Sequence, residues 1–225
     1  MKIPKQGWRA LPRRHPSAFL LTAQLLSLVL YALLYGTPSG PPVLGAFGVL
    51  ILALVVWVIS RSHTIRWITW ILAVPAFALS LLSVVLVSET LLAWSSVVEA
   101  ALYFYAAGSL IAYMMEDYRV TTDELFAAGA TFTLLAWGFA YAYLVCEILL
   151  PGSFVGDAHI DHPLAFLEFL TLSFNNLSAA GLGDIVPANP PARVLVMLEQ
   201  FAGVAYIAVV VSRLIGMTIV RYESK

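Results

Sequence analysis

Long apolar stretches separated by short polar segments dominate this chain. A helix needs about 20 predominantly apolar residues to cross a bilayer. Five stretches meet that need before residue 150, at roughly residues 18–35, 43–60, 67–88, 91–115 and 125–149, and a sixth follows at roughly 191–218. The pattern therefore predicts an all-α integral membrane fold with six transmembrane helices.

A shorter apolar segment, residues 163–177, lies between the fifth and sixth stretches and leads into Gly181 and Gly183. It is too short to cross a bilayer comfortably. Non-helical backbone at membrane depth is tolerated only where it is buried in protein or lines a water-filled cavity. We therefore predict a re-entrant pore helix followed by a loop that lines a pathway for ions.

Composition and charge support a membrane location and set an orientation. Hydrophobic residues make up 61% of the chain and charged residues 11%, whereas soluble domains carry about 25% charged residues. With six spans and both termini cytoplasmic, all of the 12 Lys and Arg residues except Arg193 lie on the cytoplasmic side, as the positive-inside rule favours. This segregation indicates orientation among lipids and does not indicate nucleic-acid binding.

The polar segments divide the chain into four parts. We assign residues 1–17 to a cytoplasmic N-terminal segment, 18–115 to a four-helix membrane domain, 116–124 to a cytoplasmic linker and 125–225 to a pore domain. Thr122 or Asp123 is predicted to cap the fifth helix. The sequence leaves open whether the four-helix domain packs beside its own pore domain or beside that of a neighbouring copy.

The fourth span contains no Lys or Arg between residues 91 and 115. A voltage sensor needs several charges that move in the membrane field, so we expect no strong voltage gating. Glu99 is an acid within this span, and its role has two interpretations. It either makes a structural hydrogen bond or senses protons or ions, and the candidate hydrogen-bond partners are Gln24, Ser95 and Ser96.

The segment from Ser173 to Pro187 carries the candidate chemistry. Gly181 and Gly183 let the backbone take dihedrals of either sign, so successive carbonyls can point to one axis and replace the hydration shell of an ion. The short helix before them would direct its negative C-terminal end toward the pore, which favours a cation. Four copies around an axis are needed to close such a pore, so we expect a homotetramer.

Over about residues 119–217 the chain resembles the potassium-channel pore superfamily, and in particular its six-span prokaryotic members that lack a soluble regulatory domain. The family filter reads Thr-Val-Gly-Tyr-Gly followed by Asp, and the matching positions here are Ala179, Ala180, Gly181, Leu182, Gly183 and Asp184. The exit Ile185-Val186-Pro187 also matches, and so does an inner-helix run: Arg193, Glu199, Gly203, Tyr206, Ala208, Arg213, Leu214 and Gly216.

The resemblance implies a passive cation channel. An enzyme is not expected, because the sequence places no His, Cys and carboxylate constellation together at membrane depth and contains no nucleotide-binding loop. The resemblance also implies a location in the prokaryotic inner (plasma) membrane, with other copies of the chain, lipids and monovalent cations as partners. A monovalent cation, foremost potassium, would bind at the filter carbonyls, and no other cofactor is expected.

Two departures from the family pattern leave the selectivity open. Ala179 replaces a threonine whose hydroxyl helps to line the innermost ion site, and Leu182 replaces a tyrosine whose phenol ties the filter to the pore helices. Three alternatives follow: potassium-selective conduction, weakly selective conduction of monovalent cations, or a non-conducting membrane scaffold or sensor. A secondary transporter is disfavoured, because such proteins pair interruptions in two related halves and only one break is visible here.

Residues outside the filter are predicted to support it or to gate the pore. Asn175 and Asn176 either hydrogen-bond the filter backbone, reshape the inner cavity or cap the pore helix. Ser178 and Glu199 are expected to support the filter, and Glu199 is expected to bond to the pore helix or to a neighbouring subunit. Gly203 is either a gating hinge or a point of close helix packing.

Overall fold

The computed structural model describes residues 16–34, 40–59, 66–85, 89–116, 121–156, 166–181, 183–212 and 215. Several predicted features lie outside the described residues. They are most of the N-terminal segment (residues 1–15), linker residues 117–120, Leu182 of the predicted filter, and Arg213, Leu214 and Gly216 of the inner-helix run.

A helix lies over each of the predicted spans. The first four helices are α1 (Pro16–Leu34), α2 (Gly40–Ile59), α3 (Arg66–Val85) and α4 (Glu89–Met115), and they are followed by α5 (Thr122–Leu149), α6 (Phe166–Leu177) and α7 (Pro190–Tyr206), which continues as a π-helix (Ile207–Val211). Within the described residues, four helices are long and apolar enough to cross a membrane: Pro16–Leu34, Thr90–Met115, Thr122–Leu149 and Pro190–Val210. Six crossings stay a prediction.

A small antiparallel ladder, which was not predicted, forms between β1 (Phe154–Val155) and β2 (Val186–Pro187). Phe154 pairs with Pro187 and Val155 pairs with Val186. Because β1 follows α5 and β2 precedes α7, the ladder joins the two long helices of the pore domain on either side of the filter loop.

The start of α5 differs from the prediction that Thr122 or Asp123 caps it. The N-cap is Thr121, whose hydroxyl accepts from the N–H of Glu124 at 3.3 Å while the Glu124 side chain accepts from the N–H of Thr121 at 3.4 Å. This reciprocal arrangement is a capping box. Asp123 instead contacts α1: its carboxylate accepts from both the N–H and the hydroxyl of Ser17 at the start of that helix, at 3.2 and 3.0 Å.

Helix α1 packs along α5 of the same chain. One turn beyond the Asp123 contact, Leu21 lies so close to Gly129 that a Cβ there would be 2.9 Å from a Leu21 methyl group. One turn further, the hydroxyl of Thr133 donates to the side-chain oxygen of Gln24 at 2.7 Å, with both residues buried. Polar anchors therefore fix the register of the two helices at both ends of the contact.

Helix α4 packs against the next stretch of α5. The rings of Phe104 and Phe139 meet edge to face at 4.9 Å, and Tyr103 lies 5.6 Å from the ring of Trp137. Gly138 gives room for the Phe104 ring, which a Cβ there would approach to 3.1 Å. Helices α1 and α4 thus both pack on α5 within one chain, and the arrangement relative to a neighbouring copy stays open.

Glu99 of α4 is buried, with 5% of its surface exposed, and hydrogen-bonds to Tyr141 of α5. The predicted partners Ser96 and Gln24 do not bond to it: within the described part of the chain, the Ser96 hydroxyl and the Gln24 amide nitrogen have no hydrogen-bond partner. Ser95 donates to the carbonyl of Leu92. The groups around Glu99 are instead tyrosines, since Tyr31 of α1 and Tyr103 of α4 lie near it as well as Tyr141.

Candidate cation pore

The pore helix α6 is positioned by its buried face. Phe169, Leu170, Ser173 and Leu177 have at most 1% of their surface exposed. They spread along the helix at spacings that place them on one side. With 12 residues the helix is too short to cross a bilayer, and its C-terminal end leads directly into the predicted filter.

The C-terminal end of α6 is closed by two backbone hydrogen bonds. The N–H of Ala180 donates to the carbonyl of Asn175 at 3.0 Å, and the N–H of Ala179 donates to the carbonyl of Asn176 at 3.1 Å. This pair is the Schellman motif, which places a residue in the left-handed region. Ala179 is that residue, with φ of 56°. Glycine usually takes this place, because a Cβ there costs about 1–2 kcal/mol.

The filter loop lies open on the surface of a single chain. Its described residues are all exposed: Ser178, Ala179, Ala180, Gly181, Gly183 and Asp184. Gly181 has φ of 67°, so it uses the freedom that glycine provides, whereas Gly183 does not adopt a positive φ. The loop therefore presents backbone groups to the outside of the chain.

Gly183 lies beside Asn175, at a distance that would leave room for a Cβ. The side-chain nitrogen of Asn175 lies 3.4 Å from the position that a Cβ on Gly183 would take. Asn175 therefore stands directly behind the outer part of the loop. Asn176 turns elsewhere: its amide nitrogen donates to the hydroxyl of Tyr143 at 3.3 Å, and its oxygen accepts from Gln200 at 3.4 Å. The two neighbouring asparagines thus face different parts of the pore domain.

Ser178 closes the pore helix from its exposed side. Its hydroxyl lies 3.4 Å from the carbonyl of Asn175, to which it donates, and its N–H donates to the carbonyl of Phe174 at 3.1 Å. These contacts are those of a helix C-cap. Ser178 is therefore both the last cap of the pore helix and the first residue of the filter loop.

Glu199 of α7 is fully buried and joins three helices. Its carboxyl group is hydrogen-bonded to the hydroxyl of Tyr143 on α5 and to the hydroxyl of Ser173 on α6. Ser173 also donates to the carbonyl of Ala136 on α5 at 2.8 Å. Glu199 therefore bonds to the pore helix of its own chain. Neither Tyr143 nor Ser173 was predicted from the sequence as a partner of Glu199, because several polar side chains recur along α5 and their spacing singles out none of them.

Gly203 lies one turn beyond Glu199, where α7 crosses the last residue of the pore helix. A Cβ on Gly203 would lie 2.1 Å from the carbonyl oxygen of Leu177 and 2.8 Å from its carbonyl carbon. Only glycine permits this approach of two backbones. Close packing accounts for the glycine, and its use as a gating hinge stays a prediction.

The outer end of the filter loop is tied to the end of α5. The N–H of Ala188 donates to the carbonyl of Ser153 at 2.8 Å, and the amide of Asn189 donates to the Ser153 hydroxyl at 2.7 Å. Asn189 also caps α7 by accepting from the N–H of Ala192 at 3.0 Å. The carboxylate of Glu147 accepts from two backbone N–H groups of the same turn. The loop is thus held at both ends.

A cavity of about 410 Å³ lies beside the loop. Its walls come from α6, the outer part of the loop and α1, and they include Thr171, Asn175, Gly183, Asp184 and Ala32. The loop is therefore not packed tightly against the pore helix along its whole length.

The inner helix α7 leaves a wide apolar face uncovered in a single chain. Its large exposed apolar residues are Val194, Met197, Leu198, Phe201 and Val204, and Phe201 is 74% exposed. They recur every three or four residues, so they form one continuous stripe. Lipid or other protein chains must cover such a stripe in a membrane.

A family model described as ion channel matches residues 100–219, which is just over half of the chain. The matched region begins in α4 and contains α5, the pore helix, the filter loop and the inner helix. No curated protein and no solved structure matches the chain.

Proposed function

Because the chain belongs to the ion channel family, we propose that four copies form a passive channel for monovalent cations, with potassium the favoured ion. The observation that carries the proposal is the loop whose described residues, 178–181, 183 and 184, are all exposed. It begins at the C-terminal end of a short pore helix and is held at both ends by its own chain. The carbonyls at 179–183 would replace the hydration shell of a cation.

The charge and dipole pattern favours a cation over an anion. A helix carries about half a negative elementary charge at its C-terminal end, and the filter loop begins there. Asp184 is exposed at the outer end of the loop, and four such carboxylates around an axis would raise the local concentration of cations. Both features are supplied by copies of this chain alone.

Four copies would also explain the exposed surfaces. The filter loop and the apolar stripe of α7 both lie uncovered in one chain, and a fourfold arrangement would bring loops together at an axis while neighbouring chains and lipid cover the stripe. The expected location is the prokaryotic inner membrane with both termini cytoplasmic.

Weak selectivity among monovalent cations is the second candidate. An open cleft borders the outer part of the loop in a single chain, and the filter carbonyls are held less firmly if no neighbouring copy fills it. Ala179 and Leu182 act in the same direction, since neither can supply the side-chain hydroxyl of the family pattern. If the protein conducts no monovalent cation, a non-conducting scaffold or sensor is the remaining alternative.

The proposal is tested by potassium flux into liposomes that contain the purified protein, with Gly181→Ala as the variant and Gly152→Ala as its matched control. Both glycines have positive φ, at 67° and 81°, and a Cβ at either would meet nothing within 4 Å. Both variants therefore bear a similar strain of about 1–2 kcal/mol. Gly152, however, lies in the turn after α5 and outside the filter.

We expect Gly181→Ala to change the flux by about tenfold or more, because a carbonyl is turned away from the ion path, and Gly152→Ala to leave it unchanged. Equal flux in the two variants would contradict the assignment of the filter. Absence of flux in wild-type protein that native mass spectrometry shows to be tetrameric would instead support the scaffold.

A further inference from the structure

Three oxygen–oxygen contacts converge on Glu199 and Ser173. The Tyr143 hydroxyl contacts one carboxyl oxygen of Glu199, and the Ser173 hydroxyl contacts the other. The Ser173 hydroxyl also lies 2.8 Å from the carbonyl oxygen of Ala136. Glu199 and Ser173 are both 0% exposed, so these protein groups must satisfy one another.

The three contacts need three hydrogen atoms, but the two hydroxyl groups carry one each. Tyr143 uses its hydrogen toward Glu199, since its oxygen already accepts from the amide of Asn176. The carbonyl of Ala136 can only accept, so it takes the hydrogen of Ser173. We propose that Glu199 supplies the third hydrogen: it is a neutral carboxylic acid that donates to Ser173 and thereby positions the pore helix.

The surroundings of Glu199 agree with a neutral acid. A buried carboxylate is costly unless a cationic group accompanies it. Within the described residues, the groups that hydrogen-bond to Glu199 are all neutral. Arg193, the basic residue of α7, is exposed and donates to the carbonyl of Pro187 at 3.4 Å.

The acid links the inner helix to the base of the filter. Ser173 lies one turn before Leu177, the last residue of α6. The relay from Glu199 through Ser173 to Ala136, together with the Tyr143 bond, therefore fixes the pore helix between α5 and α7. The effect of this hydrogen-bond relay on ion selection rests on the proposed channel function. The protonation of Glu199 does not depend on that function.

The decisive variants are Glu199→Gln and Glu199→Met. Glutamine reproduces a neutral acid, because its amide nitrogen can donate to Ser173 while its oxygen accepts from Tyr143. Methionine has a similar length and does neither. We expect Glu199→Gln to retain the thermal midpoint of the purified protein and a potassium-to-sodium permeability ratio within about twofold of wild type, and Glu199→Met to lower that ratio by about tenfold.

Glu147→Gln is the matched control. The Glu147 carboxylate accepts from the N–H groups of Gly152 and Phe154 at 2.8 and 3.0 Å, so it acts only as an acceptor. A glutamine amide would direct hydrogens at one of these donors, and the thermal midpoint should fall. A Glu199→Gln variant that loses as much stability as Glu147→Gln would overturn the proposal. An ionised Glu199 would only accept hydrogen bonds, so an amide in its place would also direct hydrogens at its donors.

Infrared spectroscopy tests the proton directly and without conduction. The difference spectrum between wild type and Glu199→Gln should contain the C=O stretch of a protonated carboxylic acid at neutral pH. A difference spectrum with only carboxylate bands would overturn the neutral acid even if the channel conducts. Conversely, the protonated band in a protein that carries no current would leave this inference standing and reject the proposed function.

Discussion

Gly203→Ala tests the contact between the inner helix and the base of the filter. In the structure a Cβ on residue 203 would lie 2.1 Å from the carbonyl oxygen of Leu177, whereas ordinary contact begins at 3.4 Å. The two helices would therefore have to separate by roughly 1.3 Å, and the neighbour is backbone, which cannot rotate away.

The net effect can be estimated from two opposing contributions. Overpacking typically costs about 1–3 kcal/mol, and a rigid backbone neighbour places this site at the upper end. Replacing glycine by alanine within a helix contributes about 1 kcal/mol in the other direction. We therefore expect Gly203→Ala to lower the free energy of unfolding by about 2 kcal/mol.

Thermal unfolding of the purified protein in detergent, followed by size-exclusion chromatography, measures this effect. Gly108→Ala is the control, because Gly108 lies within α4 and a Cβ there would meet nothing within 4 Å. The control should be as stable as wild type or more stable by about 1 kcal/mol. If Gly203→Ala is as stable as Gly108→Ala, the close packing is refuted and the hinge becomes the better explanation of Gly203.

Three further experiments test local features. Ala179→Gly should raise the free energy of unfolding by about 1 kcal/mol, because it relieves a left-handed alanine; a lower midpoint would argue against the Schellman turn. A double-mutant cycle of Ser17→Ala and Asp123→Asn should give a coupling energy of about 1 kcal/mol, and independent effects would place α1 elsewhere. Thr121→Ala should lose about 1 kcal/mol through the cap of α5, whereas Thr122→Ala should lose little.

Apolar length was enough to predict where the helices lie. Helices occur over each predicted stretch, because a run of about 20 apolar residues has few other stable forms in a bilayer. The family match likewise agrees with the predicted class of protein, an ion channel. Six crossings, the tetramer and ion selectivity stay predictions, because they depend on the bilayer and on other copies of the chain.

The polar contacts between helices could not be read from the sequence. Apolar residues surround α5 on all sides, so no face stood out as the one that meets the inner helix. Tyr143 therefore gave no sign that it bonds to Glu199, which lies 56 residues further along the chain. For the same reason the sequence did not reveal that the partner of Glu99 is Tyr141, and neither Gln24 nor Ser96.

The ends of helices were predicted less well than their centres. Three consecutive polar residues, Thr121, Thr122 and Asp123, could each have capped α5, and the choice of Thr121 depends on the position of Glu124 and on the contact of Asp123 with Ser17. Ala179 is a similar case, since alanine does not signal a left-handed residue.

The reversal potential of single channels in planar bilayers tests the central claim most directly. Purified protein would be measured under opposed potassium and sodium gradients, with Gly181→Ala and Gly152→Ala measured alongside. We predict a current that reverses near the potassium equilibrium potential in wild type and in Gly152→Ala, and a shifted reversal in Gly181→Ala. Reversal near zero in wild type would establish weak selectivity, and silence in folded tetramers would contradict a conducting pore.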